Sequence, residues 1–216
     1  MDLMMVTSNL PVGHKAHIPK LDLEIKLVKR VVGSQWSTIT VKQPDGYAGL
    51  RCSLSRYRAK KWHFVLHGDA DAYCTDEDGG TTLSAMLYTF GLVKKEGSLD
   101  PVDPRDIVEL FAPYSRMNGG DTEFIFLNSC HSNGYGMCLN AMGFVVVCWS
   151  TRVNDAAAQP FAAAFYEALV KNKASWKAAY DFAVKTIEVN FELCDPDLNT
   201  THSATKPAAG IPELFL

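Results

Sequence analysis

Two short stretches of this sequence decide its fold: WHFVLHG at residues 62–68 and FLNSCHS at residues 126–132. Each contains a run of apolar residues and ends in small or polar ones. Runs that are too short for a helix and apolar at successive positions are typical of strands buried on both faces of a parallel sheet. The two stretches therefore predict two such strands, one ending just before His67 and the other shortly before Cys130.

Similar apolar runs and helical patterns occur along the rest of the chain. Strands are predicted at residues 3–7, 36–41, 62–66, 124–127 and 144–149. Helices are predicted at residues 21–32, from 103 onward, 135–142, 159–171 and 175–192, with Pro160 as the first residue of its helix. Because strands and helices alternate, we expect an α/β fold of three layers, with a mainly parallel central sheet and helices on both faces.

Two further segments receive less definite assignments. Residues 81–93 have apolar residues at helical spacing, but their aromatic content and the turn at residues 94–97 would also suit a hairpin. From Asp195 onward the chain is polar and contains prolines, which predicts an irregular tail. We therefore expect one domain over residues 1–194 and a C-terminal tail over residues 195–216.

The composition of the chain argues against several classes of function. Of its 216 residues, 47% are apolar and 21% are charged, as in soluble globular proteins. The net charge of −3 and the lack of a basic block argue against nucleic-acid binding. The longest apolar run, residues 143–149, is too short to cross a membrane, and the N-terminus lacks the pattern of a secretion signal. The six cysteines form no CxxC pair, so we expect reduced thiols and a cytoplasmic location.

His67 and Cys130 carry the chemistry that this arrangement predicts. In parallel sheets, ligands bind beyond the carboxyl ends of the strands, and we expect the strands before these two residues to be neighbours. A thiol with a pKa of about 8.5 is mostly protonated at neutral pH, and a nearby imidazole can deprotonate it. Gly68 permits the backbone to approach a bound carbonyl group closely, and its N–H could stabilise an oxyanion. The sequence thus predicts a thiol site at this edge of the sheet.

Three segments resemble motifs of the CHAT proteases, which are relatives of caspases, separases and gingipains. WHFVLHG resembles that family's His-Phe-x-x-His-Gly motif, and FLNSCHS resembles its Leu-x-Ala-Cys-x-Ser motif. The strand ending at Trp149 and the following DAAAQPFAAAFYEAL at residues 155–169 are similar to the family's closing section. The three segments stand in the family's order, and the resemblance extends from the first strand to about residue 189.

This resemblance implies a caspase-like fold and a cysteine endopeptidase that works through an acyl-enzyme intermediate, without a metal or another cofactor. His67 would be the catalytic histidine and Cys130 the nucleophile. The backbone amides of Gly68 and Cys130 would form the oxyanion hole. The substrate would be a peptide or a protein.

The resemblance also implies where the substrate's P1 side chain binds. The strand end at Trp149 and Ser150, with Asp155 beyond it, would border this side chain. From the residues alone, Asp155 either caps the next helix or lines a pocket. The acidic loop at residues 69–80 is a solvated loop, a divalent-ion site or, together with Asp155, a wall that selects lysine or arginine at P1. Arg152 would be the pocket residue for an acidic P1 side chain.

Departures from the family's pattern keep other interpretations open. His131 stands where the family often has glutamate, and Ser129 stands where alanine is common. We expect His131 to be an exposed neighbour of the cysteine rather than a second base, and His63 to be a hydrogen-bonded core residue. The main alternative function is a catalytically silent module that binds or regulates other proteins. A third is a thiol hydrolase or acyltransferase that acts on a non-peptide substrate.

The last expectation concerns control of the activity. CHAT domains are usually one part of a larger protein whose other modules control them. In this sequence the first strand begins within a few residues of the start, and the tail is too short to fold separately. Control would therefore come from a regulatory protein partner, self-association, an ion or self-cleavage, and we expect the chain alone to be poorly active.

Overall fold

The computed structural model describes residues 1–14, 17–68, 90–197 and 206–216. Its strands are β1 (Leu3–Thr7), β2 (Thr38–Lys42), β3 (Lys61–Val65), β4 (Phe90–Val93), β5 (Leu99–Val102), β6 (Phe124–Asn128), β7 (Val145–Trp149) and β8 (Pro212–Phe215). Its α-helices are α1 (Leu21–Val32), α2 (Gly46–Arg56), α3 (Pro104–Phe111), α4 (Asn133–Asn140), α5 (Asp155–Val170) and α6 (Trp176–Glu188). Two short 3₁₀ turns, Ala112–Tyr114 and Arg116–Asn118, follow α3.

Six strands form the central sheet, in the order β2-β1-β3-β6-β7-β8. The first five are parallel to one another, and β8 runs antiparallel to β7 at the edge. The register aligns Thr7 with Val65 and Val65 with Asn128, so the carboxyl ends of β1, β3 and β6 lie in one row. The predicted α/β class with a mainly parallel sheet is confirmed.

Helices cover both faces of this sheet and so form the three predicted layers. One face packs against α1, α5 and α6, with Phe124 and Phe126 among the strand residues in that core. The other face packs against α2, α3, α4 and the β4–β5 hairpin, around Trp62 and Phe64. Successive side chains of a strand point to opposite faces. Since both faces are covered, the strands are apolar at successive positions.

Capping residues set the starts of two helices. Asp103 accepts a hydrogen bond from a backbone N–H of the first turn of α3, and Pro104 is the first residue of that helix, as predicted. Helix α5 begins earlier than predicted, because the side chain of Asn154 caps it and Asp155 is its first residue. Pro160 therefore lies inside α5, and its predicted place at the start of the helix is wrong.

Helix α2 is not predicted from the sequence, and the β4–β5 hairpin is one of two alternatives that the sequence leaves open. Helix α2 contains two glycines and two serines and has few apolar residues, so it lacks a clear helical pattern. Strands β4 and β5 form a separate antiparallel hairpin. Of the two structures that the sequence allows for residues 81–93, the hairpin holds for residues 90–93, while residues 81–89 lie outside the described part of the chain.

The predicted irregular tail is wrong at its end. Residues 212–215 form β8, which pairs with β7 in the central sheet. A four-residue edge strand has little periodicity of its own, and its pairing depends on the neighbouring strand. The expected boundary at residue 194 therefore does not separate the tail from the sheet.

Candidate active site

The sheet register brings the two predicted catalytic residues to one edge. Val65 at the end of β3 is aligned with Asn128 at the end of β6. His67 and Cys130 each come two residues after this aligned pair, and both line the same cavity. Two motifs that are far apart in the sequence are thus neighbours in the fold, because β3 and β6 are adjacent parallel strands.

Gly68 lies directly against the backbone of Cys130. A Cβ atom at position 68 would lie 2.7 Å from the carbonyl carbon of Cys130 and 2.9 Å from its Cα, and it would overlap the carbonyl oxygen. Cβ atoms do not approach backbone atoms this closely, so only glycine fits here. The close approach sets the spacing between the chain after β3 and the chain after β6.

His67 is buried, with 6% of its surface exposed. Its Nε2 accepts a hydrogen bond from the backbone N–H of Leu10 at 3.2 Å, so the neutral ring carries its proton on Nδ1. Its carbonyl oxygen accepts a hydrogen bond from the N–H of Gly91 at 2.9 Å, which ties β4 to the site. Burial, and then the charges of His14 and His17, lower the pKa of His67 to about 4. The imidazole is therefore neutral at pH 7.

Cys130 is a half-buried thiol that lines the cavity. Its Sγ accepts a hydrogen bond from the backbone N–H of Val153 at 3.4 Å. Cys148 on β7 is fully buried, and desolvation raises its thiol pKa far above the usual range. Cys138, predicted to lie on an apolar face, is instead exposed on α4. Cys130 is thus the thiol that combines partial exposure with a place beside His67.

The chain turns sharply after Cys130. His131 has a φ of 47°, in the left-handed region, and its N–H donates to the carbonyl oxygen of Thr151 at 3.0 Å. The N–H of Ser132 donates to the carbonyl oxygen of Trp149 at 2.7 Å. His131 is half-buried rather than exposed as predicted, because this turn is packed against the chain that follows β7. The two hydrogen bonds hold the turn after β6 in place.

The three residues predicted to border the P1 side chain have different surroundings. Trp149 is fully buried in the core and offers no surface to a substrate, so it supports the site only from within the fold. The N–H of Ser150 donates to the carbonyl oxygen of Ile211 at 2.9 Å. Asp155 lines the cavity, and since Asn154 caps α5, the Asp155 carboxylate is not needed as the cap.

A cavity of about 170 Å³ lies beside His67 and Cys130. Its lining includes the carboxylates of Glu24 from α1 and Asp155 from α5. Desolvation, and then the charge of Glu24, raise the pKa of Asp155. Ser129 also lines the cavity, and its buried hydroxyl has no hydrogen-bond partner among the described residues. Lys20 and Arg152 also line the cavity, so charges of both signs border it.

A buried network around Glu24 is not predicted from the sequence. Glu24 is 3% exposed, and its Oε1 accepts hydrogen bonds from Nε2 of His63 at 2.7 Å and from Nδ2 of Asn128 at 2.6 Å. His63 also contacts the hydroxyl of Tyr166 at 3.0 Å, so its prediction as a hydrogen-bonded core residue is confirmed. One sequence feature could have revealed this network. Glu24 lies three residues after Leu21, on the buried face of the amphipathic helix α1.

Several predictions fall on residues that the structure does not describe. The acidic loop at residues 69–80 lies outside the described part of the chain, as do residues 198–205 of the tail. Within the described part, no three histidine, cysteine or acidic side chains lie together so that they could hold a metal ion. No α-helix found there has both the length and the apolar character to span a membrane.

Comparison with solved structures identifies the fold. The crystal structure of caspase-1 from Spodoptera frugiperda is similar over 99% of this chain and 84% of that one, with a TM-score of 0.59 and 11% sequence identity. The protein therefore has a caspase-like fold. At this level of identity the likeness defines the fold alone. The sequence matches no protein-family model and no curated protein.

Proposed function

We propose that this protein is a cysteine endopeptidase of the CHAT type, with His67 and Cys130 as its catalytic dyad. The observation that carries the proposal is the contact between Gly68 and the Cys130 backbone, which only glycine permits. This contact brings the histidine motif and the cysteine motif together beside a cavity, on a caspase-like fold. A purely structural cysteine would need neither the adjacent histidine nor the cavity.

The proposed reaction has two stages. Sγ of Cys130 attacks the carbonyl carbon of the scissile bond while His67 accepts the thiol proton. The C–N bond then breaks, and His67 returns the proton to the leaving amine. In the second stage, a water molecule that His67 deprotonates hydrolyses the thioester and frees Cys130. The main-chain N–H groups of Gly68 and Cys130 are the proposed donors to the oxyanion.

A neutral His67 has a lone pair for the thiol proton, but a pKa of about 4 makes it a weaker base than an ordinary histidine. The ring does not hold a proton at rest at pH 7. Proton transfer is therefore coupled to the attack on the substrate rather than completed before it. The Leu10 N–H must withdraw from Nε2 in this mechanism, because that lone pair has to receive the thiol proton.

The proposed substrate is a peptide or protein with lysine or arginine at P1. Lys20 and Arg152 line the cavity as well as Glu24 and Asp155, but Asp155 is a partly exposed carboxylate that a cationic P1 side chain can meet. Arg152, the candidate for an acidic P1, forms an ion pair with Asp197 at 3.1 Å. Part of its positive charge is thereby neutralised, which favours a basic P1.

One observation favours the alternative of a catalytically silent binding or regulatory module. The Leu10 N–H occupies the lone pair of Nε2 that a general base needs. If this hydrogen bond persists when a peptide binds, His67 cannot accept the thiol proton, and the site would bind without cleaving. The same hydrogen bond would also make an endopeptidase poorly active until a partner or another signal moves the chain after β1.

Two peptide acyloxymethyl ketones, identical except for lysine or aspartate at P1, test the proposal. We expect the lysine probe to label Cys130, as mapped by mass spectrometry, and to label it faster than the aspartate probe. Labelling should disappear in Cys130→Ala and remain in the matched control Cys138→Ala, which removes an exposed thiol on α4. Labelling of Cys130 by iodoacetamide but by neither peptide would contradict an endopeptidase and support the silent module. Labelling by a non-peptide acyl donor alone would support a thiol hydrolase or acyltransferase.

We also propose a cytoplasmic location and control by a regulatory protein or by self-association. The support for the location is that the cysteines within the described ranges form no disulfide with one another, which suits a reducing compartment. The support for control is the Leu10 hydrogen bond on His67. Assaying the purified chain with and without calcium or cell extract tests this, and full turnover by the monomer, unchanged by either addition, would contradict it.

A further inference from the structure

The hydrogen bond on the candidate nucleophile comes from a different part of the chain. Cys130 follows β6, whereas Val153, whose N–H lies 3.4 Å from Sγ, belongs to the loop after β7. We call residues 150–154 the β7 loop and residues 208–211 the C-terminal segment. A main-chain N–H carries a partial positive charge and is held by its backbone, so it stabilises negative charge on an atom to which it donates.

We propose that the N–H of Val153 stabilises the thiolate of Cys130, and that the C-terminal segment holds this N–H in position. The inference rests on the proposed function only in taking Cys130 as the nucleophile. Its two parts concern a reacting atom and the backbone that supports its donor. Both can be examined without any peptide substrate.

The C-terminal segment is hydrogen-bonded along the β7 loop. The carbonyl oxygen of Ile211 accepts from the N–H of Ser150 at 2.9 Å, and the N–H of Ile211 donates to Oγ1 of Thr151 at 2.9 Å. At the other end of the loop, the N–H of Asn154 donates to the carbonyl oxygen of Ala209 at 3.0 Å. These bonds fix the loop on both sides of the peptide group that contains the Val153 N–H.

Gly210 supports that same peptide group directly. A Cβ at position 210 would overlap the carbonyl oxygen of Arg152 and would lie 3.2 Å from the Cα of Val153. The carbonyl of Arg152 and the N–H of Val153 belong to one planar trans peptide, so they point in opposite directions and move together. The carbonyl oxygen of Arg152 therefore lies against Gly210, while the N–H of Val153 donates to Sγ of Cys130. A displacement of the carbonyl oxygen therefore moves the N–H with it and disturbs the hydrogen bond to Sγ.

A thiolate at Cys130 needs a hydrogen-bond donor other than a charged His67. His67, with a pKa of about 4, carries no positive charge at pH 7 and so does not stabilise a thiolate as an imidazolium would. The Val153 N–H can supply part of this stabilisation at any pH, because a peptide N–H does not titrate. The thiolate is then favoured by a fixed dipole rather than by an ion pair.

Substitutions at Val153 and Gly210 test the two parts separately. Val153→Pro removes the N–H, and its matched control Val153→Ala keeps it. Gly210→Ala should displace the Arg152–Val153 peptide. Its control, Gly119→Ala, changes another glycine of positive φ that has no atom near its missing Cβ. The measured quantity is the rate of Cys130 alkylation by iodoacetamide against pH, mapped by mass spectrometry because Cys52 and Cys138 are exposed.

We expect Val153→Pro and Gly210→Ala to raise the apparent pKa of Cys130 by about one unit, which slows alkylation at pH 7 about tenfold. Both controls should match the wild-type profile. An unchanged profile in Val153→Pro would overturn the role of the N–H, and an unchanged profile in Gly210→Ala alone would overturn the role of the C-terminal segment. A shifted profile without any peptide cleavage would leave this inference standing and would count only against the proposed function.

A measurement on the intact fold covers the case in which these variants unfold. Amide hydrogen exchange at Val153, followed by NMR, should become several-fold faster in Cys130→Ala, because the variant lacks the acceptor sulfur. Exchange at the Ser150 amide, which donates to Ile211, serves as the internal control and should not change. Equal exchange rates at Val153 in the variant and the wild type would overturn the inference.

Discussion

Both faces of the central sheet are packed with aromatic and aliphatic side chains, but one face also holds a connected set of buried polar side chains. Beneath α1 and α5, the Glu24 carboxylate joins His63 and Asn128 by hydrogen bonds of 2.7 and 2.6 Å. On the opposite face, Trp62 and Phe111 pack edge to face with their centroids 5.5 Å apart. The polar set also borders the candidate site, since Glu24 and Asn128 line the cavity.

The buried carboxylate of Glu24 and its hydrogen-bond partners His63 and Asn128 lie on the face that packs against α1 and α5. Buried polar groups reduce stability unless they are hydrogen-bonded, and a buried carboxylate is especially demanding. Here that cost falls on the face whose residues Glu24 and Asn128 line the cavity. The core on the other face contributes packing, and Leu66 is its one described residue that lines the cavity. Substitutions on the two faces should therefore separate activity from stability.

The largest expected effect separates two cysteines, Cys130 at the site and Cys148 in the core around Trp62 and Phe64. Cys130→Ala should reduce peptide cleavage at least about 10⁴-fold, since losing the nucleophile of a serine protease costs about 10⁶-fold, and should change the free energy of unfolding by no more than about 1–2 kcal/mol. Cys148→Ala should keep the activity. Peptide hydrolysis and urea denaturation measure the two quantities, and residual cleavage by Cys130→Ala would contradict the assignment.

The second prediction concerns the loss of the buried polar network around Glu24. Glu24→Ala should lower the free energy of unfolding by about 3–5 kcal/mol, because His63 and Asn128 lose their buried acceptor. Glu24→Gln is the matched control: it keeps an oxygen at the same place and should cost much less. Urea denaturation of both variants decides, and equal losses would mean that the charge of Glu24, rather than its hydrogen bonds, stabilises this face.

The third effect is a dependence of stability on pH that arises from His67. Its pKa is 6.5 in an ordinary environment and about 4 in the fold, so between these values the unfolded chain binds a proton that the folded chain does not. The free energy of unfolding should therefore fall as the pH drops from about 6.5 to about 4, by roughly 3 kcal/mol.

The variant His67→Gln isolates this contribution from those of the other histidines. Its unfolding free energy, measured by urea denaturation between pH 4 and pH 7, should lack the His67 part of the slope. Parallel profiles for the variant and the wild type would show that burial does not depress the pKa of His67.

A smaller effect distinguishes the histidines of the site. His67→Ala should slow acylation of Cys130 by a peptide electrophile at least about 10²-fold, the lower range for a general base. His131→Ala should slow it much less, because His131 follows the nucleophile in a left-handed turn that its main-chain N–H anchors to Thr151. If His131→Ala proved the more damaging substitution, the dyad would need reassignment.

The smallest effect concerns the cavity. Asp155→Asn should lower kcat/KM for substrates with lysine or arginine at P1 about tenfold, the equivalent of one lost interaction of about 1.4 kcal/mol, with little change for a neutral P1. Added salt should weaken the wild-type preference, since screening reduces attraction between partly exposed charges. A peptide library dominated by acidic P1 residues would point to Arg152 instead.

The sequence predicts the interior of the fold better than its edges. Strands β1, β3, β6 and β7 are apolar at successive positions because helices cover both of their faces, and that pattern is visible without a structure. Strand β8 and the β4–β5 hairpin are short, and their pairing depends on the strand that they meet. Helix α2 is likewise stabilised by packing of Leu50 and Leu54 rather than by a clear repeat.

The candidate site shows the same division. His67 and Cys130 are distinctive residue types placed just after buried strands, so the sequence singles them out. Glu24 is harder to find, because an acidic residue on a buried helix face shows its role only when its partners are known. Val153 cannot be found from its side chain at all, since it acts through a main-chain N–H that every residue except proline has.

Strand β3 pairs directly with β6, and Val65 is aligned with Asn128. His67 and Cys130 each lie two residues beyond this pair, so their relative position does not depend on the length of chain between the strands. The length of that connection can therefore change without moving the dyad, provided that Gly91 still donates to the carbonyl oxygen of His67. The same independence makes the turn between β4 and β5 a suitable place to graft a foreign peptide or a reporter domain. An insertion of one residue between Val65 and His67 is different, because it would redirect the imidazole and remove Gly68 from its place against Cys130.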